Sequence, residues 1–256
     1  MKKLILIILL TALPSFAYGA GVIFRDAQST VNTTADPVEF THTGSSTSTL
    51  GILGFNVDAA ADNLVGVPTW GGTDMTELSR QERISAPGER FVYLFYITNP
   101  PTGAQTISIN FSASELVRGC AETYTATDTT DAIDGNVTST VNTATTITTT
   151  FTTTQDDSYL FNWTTDYSGT PSAGTNENDS TVVANHICSS FDGGTAGSHA
   201  MTTNSSGNTE MNAAMGASII PSVAVAAEER RRMPIIIFGG ILLPAIVSVI
   251  YRRKKK

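Results

Sequence analysis

Residues 90–111 read RFVYLFYITNPPTGAQTISINF, and no other stretch constrains the fold as much. In an extended chain, Phe91, Tyr93, Phe95 and Ile97 fall on one face and Val92, Leu94 and Tyr96 on the other, because successive strand side chains point to opposite sides. A strand that is apolar on both faces has to be covered on both, so it belongs inside a sheet. Asn99-Pro-Pro-Thr-Gly103 is a turn by composition, since Pro presets φ and Gly supplies positive φ. The return alternates, with Gln105, Ile107, Ile109 and Phe111 against Thr106, Ser108 and Asn110. That is the pattern of a half-buried antiparallel partner. The stretch predicts a hairpin at the heart of an all-β domain.

The rest of the body agrees. It is rich in Thr, Ser, Gly, Asn and Val, and no segment between the two ends sustains a helical period. Residues 22–25, 38–42, 50–57, 65–70, 115–125, 160–165, 181–191 and 211–220 read as strands. Residues 75–85 are polar and read as an edge strand and loop. Gly51 and Gly54, inside an apolar strand, predict close backbone approach or a bulge. Residues 138–154 are almost all Thr with a few Val and Ile, a β-branched strand pair with a wet face or a stalk-like glycosylated tract. Short strands at this spacing imply a sandwich or a barrel.

The ends predict where the body lives. Residues 1–19 have the three parts of a secretory signal: Lys2 and Lys3, an apolar run, and Ala17-Tyr18-Gly19 as the cleavage site. Residues 233–251 carry no charge and are followed by Arg252-Arg-Lys-Lys-Lys256. A helix of that length covers about 28 Å, close to the hydrocarbon thickness, and the basic end stops transfer on the inner side. The expected layout is a signal peptide (1–19), an ectodomain (20–220), a juxtamembrane linker (221–232), a transmembrane helix (233–251) and a cytoplasmic tail (252–256). The protein is then secreted and displayed at the cell surface, held in the membrane by its C-terminal helix. The body between Ala20 and Ala227 holds five Arg against 21 Asp and Glu. Such a field repels nucleic acid and anionic headgroups, so neither is expected as a partner of the body.

Trp70–Gly72, Tyr96–Gly103, Ile107–Ser112 and Thr127–Asp134, with the strands between them, resemble jelly-roll-like β-sandwich modules of secreted bacterial surface proteins. Those modules usually carry a Pro near the position of Asp131, and this chain does not. The resemblance implies an antiparallel, jelly-roll-like β-sandwich and a surface location. It implies no activity, because sandwiches host many functions.

Four sets of residues are candidate sites. Cys120 and Cys188 are the two cysteines of a chain bound for an oxidising exterior, which predicts a disulfide. The competing reading joins them with His186 as metal ligands. Asp128, Asp131, Asp134 and Asn136 form an acidic loop that invites Ca²⁺, without the spacing of an EF-hand, or else a solvated acidic turn. Trp70, Trp163 and Tyr167 offer rings for stacking on sugars, or fill the core. For catalysis there is no HExxH and no GxSxG, and each acidic residue reads first as a solubilising one. The expected function is non-catalytic: adhesion, or binding of an extracellular glycan or protein. A structural envelope component and a carbohydrate-active enzyme are the alternatives.

Overall fold

The computed structural model describes residues 22–83, 90–142, 145–166, 170–177, 179–205 and 212–222. The expected signal peptide, transmembrane helix and tail, most of the linker, and Tyr167 lie outside them, as does the side chain of Asn136. No helix among the described residues is long and apolar enough to cross a membrane.

The body is all-β. Its first half, in chain order, is β1 (Phe24–Ala35), β2 (Val38–Gly44), β3 (Ser48–Asp58), β4 (Thr69–Trp70), β5 (Thr73–Asp74), β6 (Thr76–Arg83), β7 (Arg90–Thr98), β8 (Gly103–Ile109) and β9 (Glu115–Thr125). The second half is β10 (Ile133–Asn142), β11 (Thr146–Thr153), β12 (Ser158–Thr165), β13 (Pro171–Ala173), β14 (Asp179–Val183), β15 (His186–Gly194), β16 (Gly197–Ser205) and β17 (Asn212–Ile219). Gly21–Ser222 forms one compact unit.

The strands make four antiparallel sheets stacked as layers. Layer 1 runs β2-β8-β4-β5, layer 2 β1-β9-β3-β7-β6, layer 3 β10-β17-β12-β15-β14 and layer 4 β11-β16-β13. Period-2 alternation explains why layer 2 sits inside. On β7, Phe91, Tyr93, Phe95 and Ile97 join Phe55, Trp70, Ile107 and Phe111 in the core between layers 1 and 2. Val92 and Leu94, from the opposite face, join Cys120, Tyr124, Phe161, Trp163 and Met215 in the core between layers 2 and 3. A third, smaller core of Phe151, Leu160 and Met201 lies between layers 3 and 4.

The expected hairpin is not formed. β7 pairs with β3 on one side and β6 on the other, so both of its hydrogen-bonding edges are taken. β8 pairs instead with β2 and β4. The turn after Thr98, with Asn99 at φ 51° and Gly103 at φ 76°, carries the chain from layer 2 to layer 1. Alternation shows which side chains share a face, but not which strand edge is the partner. The Thr-rich tract divides in the same way. β10 lies in layer 3 and β11 in layer 4, each paired with a distant strand. β11 alternates strictly, with Ile147, Thr149, Phe151 and Thr153 buried and the intervening threonines exposed.

Both interior glycines of β3 are close-approach positions. A Cβ on Gly51 would come within 3.0 Å of Trp70 and Ile97, and one on Gly54 within 2.9 Å of the Trp163 Cβ. Without these glycines neither tryptophan could pack this closely on β3.

Candidate functional site

The tryptophans are core residues. Trp70 is 1% exposed and Trp163 0%. Trp70 sits edge-on to His42 with ring centroids 4.8 Å apart, and Trp163 stacks on His186 at 5.5 Å. Neither presents a face to solvent, so the expected sugar platform is not built from them. Trp70 does precede a glycine turn, but β4 pairs with β8 and turns the ring inward.

The acidic loop is tied to its own backbone. Asp128 Oδ1 accepts from the backbone N–H of Thr130 at 2.7 Å and of Asp131 at 2.9 Å. Asp134 accepts from the backbone N–H of Thr154 at 2.5 Å and from its hydroxyl. These carboxylates do not converge on a common point. Among the described residues the one compact set of metal-type donors is Cys120, Glu122 and Cys188. In that set the two sulfurs are joined as a disulfide, which takes them from the expected metal reading with His186.

What the acidic loop does shape is a cleft. The loop between β9 and β10 is pinned to the end of β17 by three backbone bonds, Asp128 N–H to Ile220 O, Ile220 N–H to Ala132 O, and Ser222 N–H to Ala126 O. It thereby lies along the free edge of layer 2. β6 carries a bulge there: Glu77 pairs with Phe95 and Ser79 with Leu94, leaving Leu78 as the extra residue. Between the bulge and the loop is a cleft of about 300 Å³ lined by Thr76, Glu77, Leu78, Tyr96, Thr98 and Thr130–Ile133. Its floor is apolar, with Leu78 and half-buried Tyr96 packed on the central core. Thr76, Glu77, Thr98, Thr130 and Asp131 complete its lining.

A charge network lies on the opposite, Tyr93 face of β6 and β7. Arg80 binds Glu77 through two of its three nitrogens, Nε to Oε1 at 3.3 Å and Nη2 to Oε2 at 2.7 Å. It also pairs with Asp62 and lies 5.2 Å over the Tyr93 ring. Tyr93 donates its hydroxyl to Asp62 at 2.7 Å. Burial works to raise the Asp62 carboxyl, but the bonds from Tyr93 and Arg80 outweigh it and hold it below its ordinary value. Burial and Asp62 push the Tyr93 phenol up.

Two acidic residues are the opposite of solubilising. Glu122 is fully buried beside the disulfide. It accepts from Arg25 at 3.1 Å, from Gln28 at 2.6 Å and from the Tyr124 hydroxyl. Burial pushes its pKa up, opposed by Tyr124 and Arg25. Arg25 also binds the Asp179 carbonyl at 3.1 Å, and Asp179 accepts from Tyr159 at 3.1 Å. Glu177, 5% exposed, lies between layers 3 and 4. It accepts from Ser189 at 2.8 Å, Thr203 at 2.6 Å, Asn162 at 3.4 Å and the backbone N–H of Gly174 at 3.1 Å. For Glu122 a signal existed in the sequence. It alternates with Cys120 and Tyr124, both core residues, on one face of β9. For the cleft no local signal exists, because its walls come from segments far apart in the chain.

No protein-family model matches the chain, and no curated protein or solved structure matches it. The structure itself defines a class: an all-β protein of packed antiparallel sheets, cross-linked by a buried disulfide.

Proposed function

We propose that this is an exported, surface-anchored, non-catalytic binding protein that takes an extracellular glycan into the cleft beside Tyr96. The reading takes each half as jelly-roll-like, in keeping with a strand order in which β1-β9-β3-β7 faces β2-β8-β4-β5 and the second half repeats that order with one strand fewer. The observation that carries the reading is the composition of the cleft. An aromatic ring and aliphatic floor suit the apolar face of a sugar ring, and the threonines and Asp131 beside them suit its OH groups. A disulfide fits a protein that matures in an oxidising compartment, in keeping with the expected signal peptide. A glycosidase needs two carboxylates facing each other across a cleft, whereas both oxygens of Glu77 are engaged by Arg80; this favours binding over proton transfer.

The test is a glycan array probed with the full-length chain in detergent, beside its Tyr96→Ala and Asp131→Ala variants. Saturable binding that both substitutions abolish, with melting unchanged, supports the reading. A blank array, or binding indifferent to Tyr96→Ala, overturns it and moves the weight to a structural role in the envelope.

A further inference from the structure

The chain carries one strand order twice. Layer 2 runs β1-β9-β3-β7-β6 and layer 3 runs β10-β17-β12-β15-β14, while layer 1 begins β2-β8-β4 and layer 4 runs β11-β16-β13. Strand by strand, β1 corresponds to β10, β3 to β12, β6 to β14, β7 to β15 and β9 to β17. The ladders fix the correspondence to the residue. β3 ends at Asp58, paired with Arg90, the first residue of β7, and with Leu116, the second of β9. β12 ends at Thr165, paired with His186, the first residue of β15, and with Ala213, the second of β17. Counting from there, Gly54 matches Phe161, Val92 matches Cys188 and Cys120 matches Ala217.

The packing of layer 2 on layer 3 is reciprocal under this correspondence. β1 lies on β14 and β6 on β10, β9 lies on β15 and β7 on β17, and β3 lies on β12. Each of these contacts has its exchanged counterpart, and β3 on β12 is its own; β9 also reaches β14. Near the centre, a Cβ on Gly54 would come within 2.9 Å of the Trp163 Cβ and 3.2 Å of the tip of the Phe161 ring, the ring of its own equivalent. Reciprocity of this kind is the mark of a two-fold, isologous interface.

We infer that the face between layers 2 and 3 is a two-fold interface between two copies of one sandwich, fused in a single chain. This face of the module is therefore a surface for binding a second copy of the module. The residues have diverged while the geometry has stayed. The Cys120–Cys188 disulfide occupies one of two reciprocal sites, and the other holds Val92 and Ala217, both fully buried. The two edges differ as well. Arg25 closes the β1–β14 edge by binding Glu122 and Asp179, whereas the β6–β10 edge stays open as the cleft.

The test is a second cross-link at the empty reciprocal site. The full-length Val92→Cys/Ala217→Cys variant is folded under oxidising conditions and mapped without reduction. A companion variant moves the bridge, combining Val92→Cys and Ala217→Cys with Cys120→Ala and Cys188→Val, so that core volume is conserved. The native pair has its Cα atoms 6.4 Å apart, inside the usual bridging range of about 4.4–6.8 Å, and the reciprocal pair should bridge as readily. A peptide linking positions 92 and 217 in most molecules of either variant is the expected result. Free thiols at both positions in both variants, or a Val92→Cys/Met215→Cys control that bridges equally well, overturns the two-fold relation.

Discussion

Cys120 and Cys188 are joined across the gap between two sheets, β9 of layer 2 and β15 of layer 3, with their Cα atoms 6.4 Å apart. The bond therefore ties the two halves of the chain together and lies within the core between layers 2 and 3. Its sequence separation is 68 residues. Closing a loop of that size constrains the unfolded chain, a contribution of about 4 kcal/mol in the chain-entropy model. The Cys120→Ser/Cys188→Ser variant should lose about that much in urea unfolding, with the midpoint falling. An unchanged midpoint would show that the bond does not bear on the global transition.

Arg25 is the cation that Glu122 faces in the interior. Arg25→Ala leaves a buried carboxylate with Gln28 and Tyr124 alone, and should destabilise by about 3 kcal/mol near neutral pH. Burial raises the Glu122 pKa, so the acid takes up its proton at milder acidity than usual. The neutral acid does not need the cation. The loss caused by Arg25→Ala should therefore shrink as pH falls, while Glu122→Gln should make Arg25→Ala nearly harmless at any pH. A penalty independent of pH and of Glu122 would show that Arg25 acts through packing.

His42 sets a second pH dependence. It is fully buried, with Nε2 3.1 Å from the Thr123 hydroxyl. Burial pushes the imidazole from 6.5 down to about 4, with Asp26 pulling the other way. The unfolded chain then binds a proton that the folded chain refuses. The contribution is fully present above about pH 6.5, is lost as pH falls towards 4, and amounts to about 3 kcal/mol. Urea midpoints between neutral pH and pH 4 should decline for the parent and decline less for His42→Gln. Parallel slopes would remove His42 as the cause.

Gly119 pairs with Phe55 where β9 lies beside β3. A Cβ there would come within 2.8 Å of the Gly54 carbonyl oxygen and 2.7 Å of the Phe55 Cβ. Backbone cannot swing aside, so Gly119→Ala should destabilise by about 2 kcal/mol or more. Gly72, with nothing within 4 Å of a Cβ and φ +78°, carries strain alone, and Gly72→Ala should cost about 1 kcal/mol. Thermal melts of the two variants side by side check the order, and a reversal would refute the close approach.

The sequence by itself determined the local structure. Alternation placed β7 with two apolar faces, β9 with Cys120, Glu122 and Tyr124 on one side, and β3 with glycines at points of contact. It also singled out the cysteines that pair. Alternation is a property of one strand, and each of these results needed one strand only. The tertiary structure decided everything that depends on which strand lies beside which. It sent β8 to layer 1 instead of beside β7, and divided the Thr-rich tract between layers 3 and 4. It turned Trp70 and Trp163 inward, where they cannot serve as a sugar platform, and buried Glu122 and Glu177. It brought Tyr96 and Asp131 to one cleft. Backbone donors and acceptors are the same in every strand, so edge pairing leaves no mark on the residues themselves. The repeated strand order is hidden for the same reason: Gly54 answers to Phe161 and Cys120 to Ala217, a likeness of register that no likeness of side chains betrays.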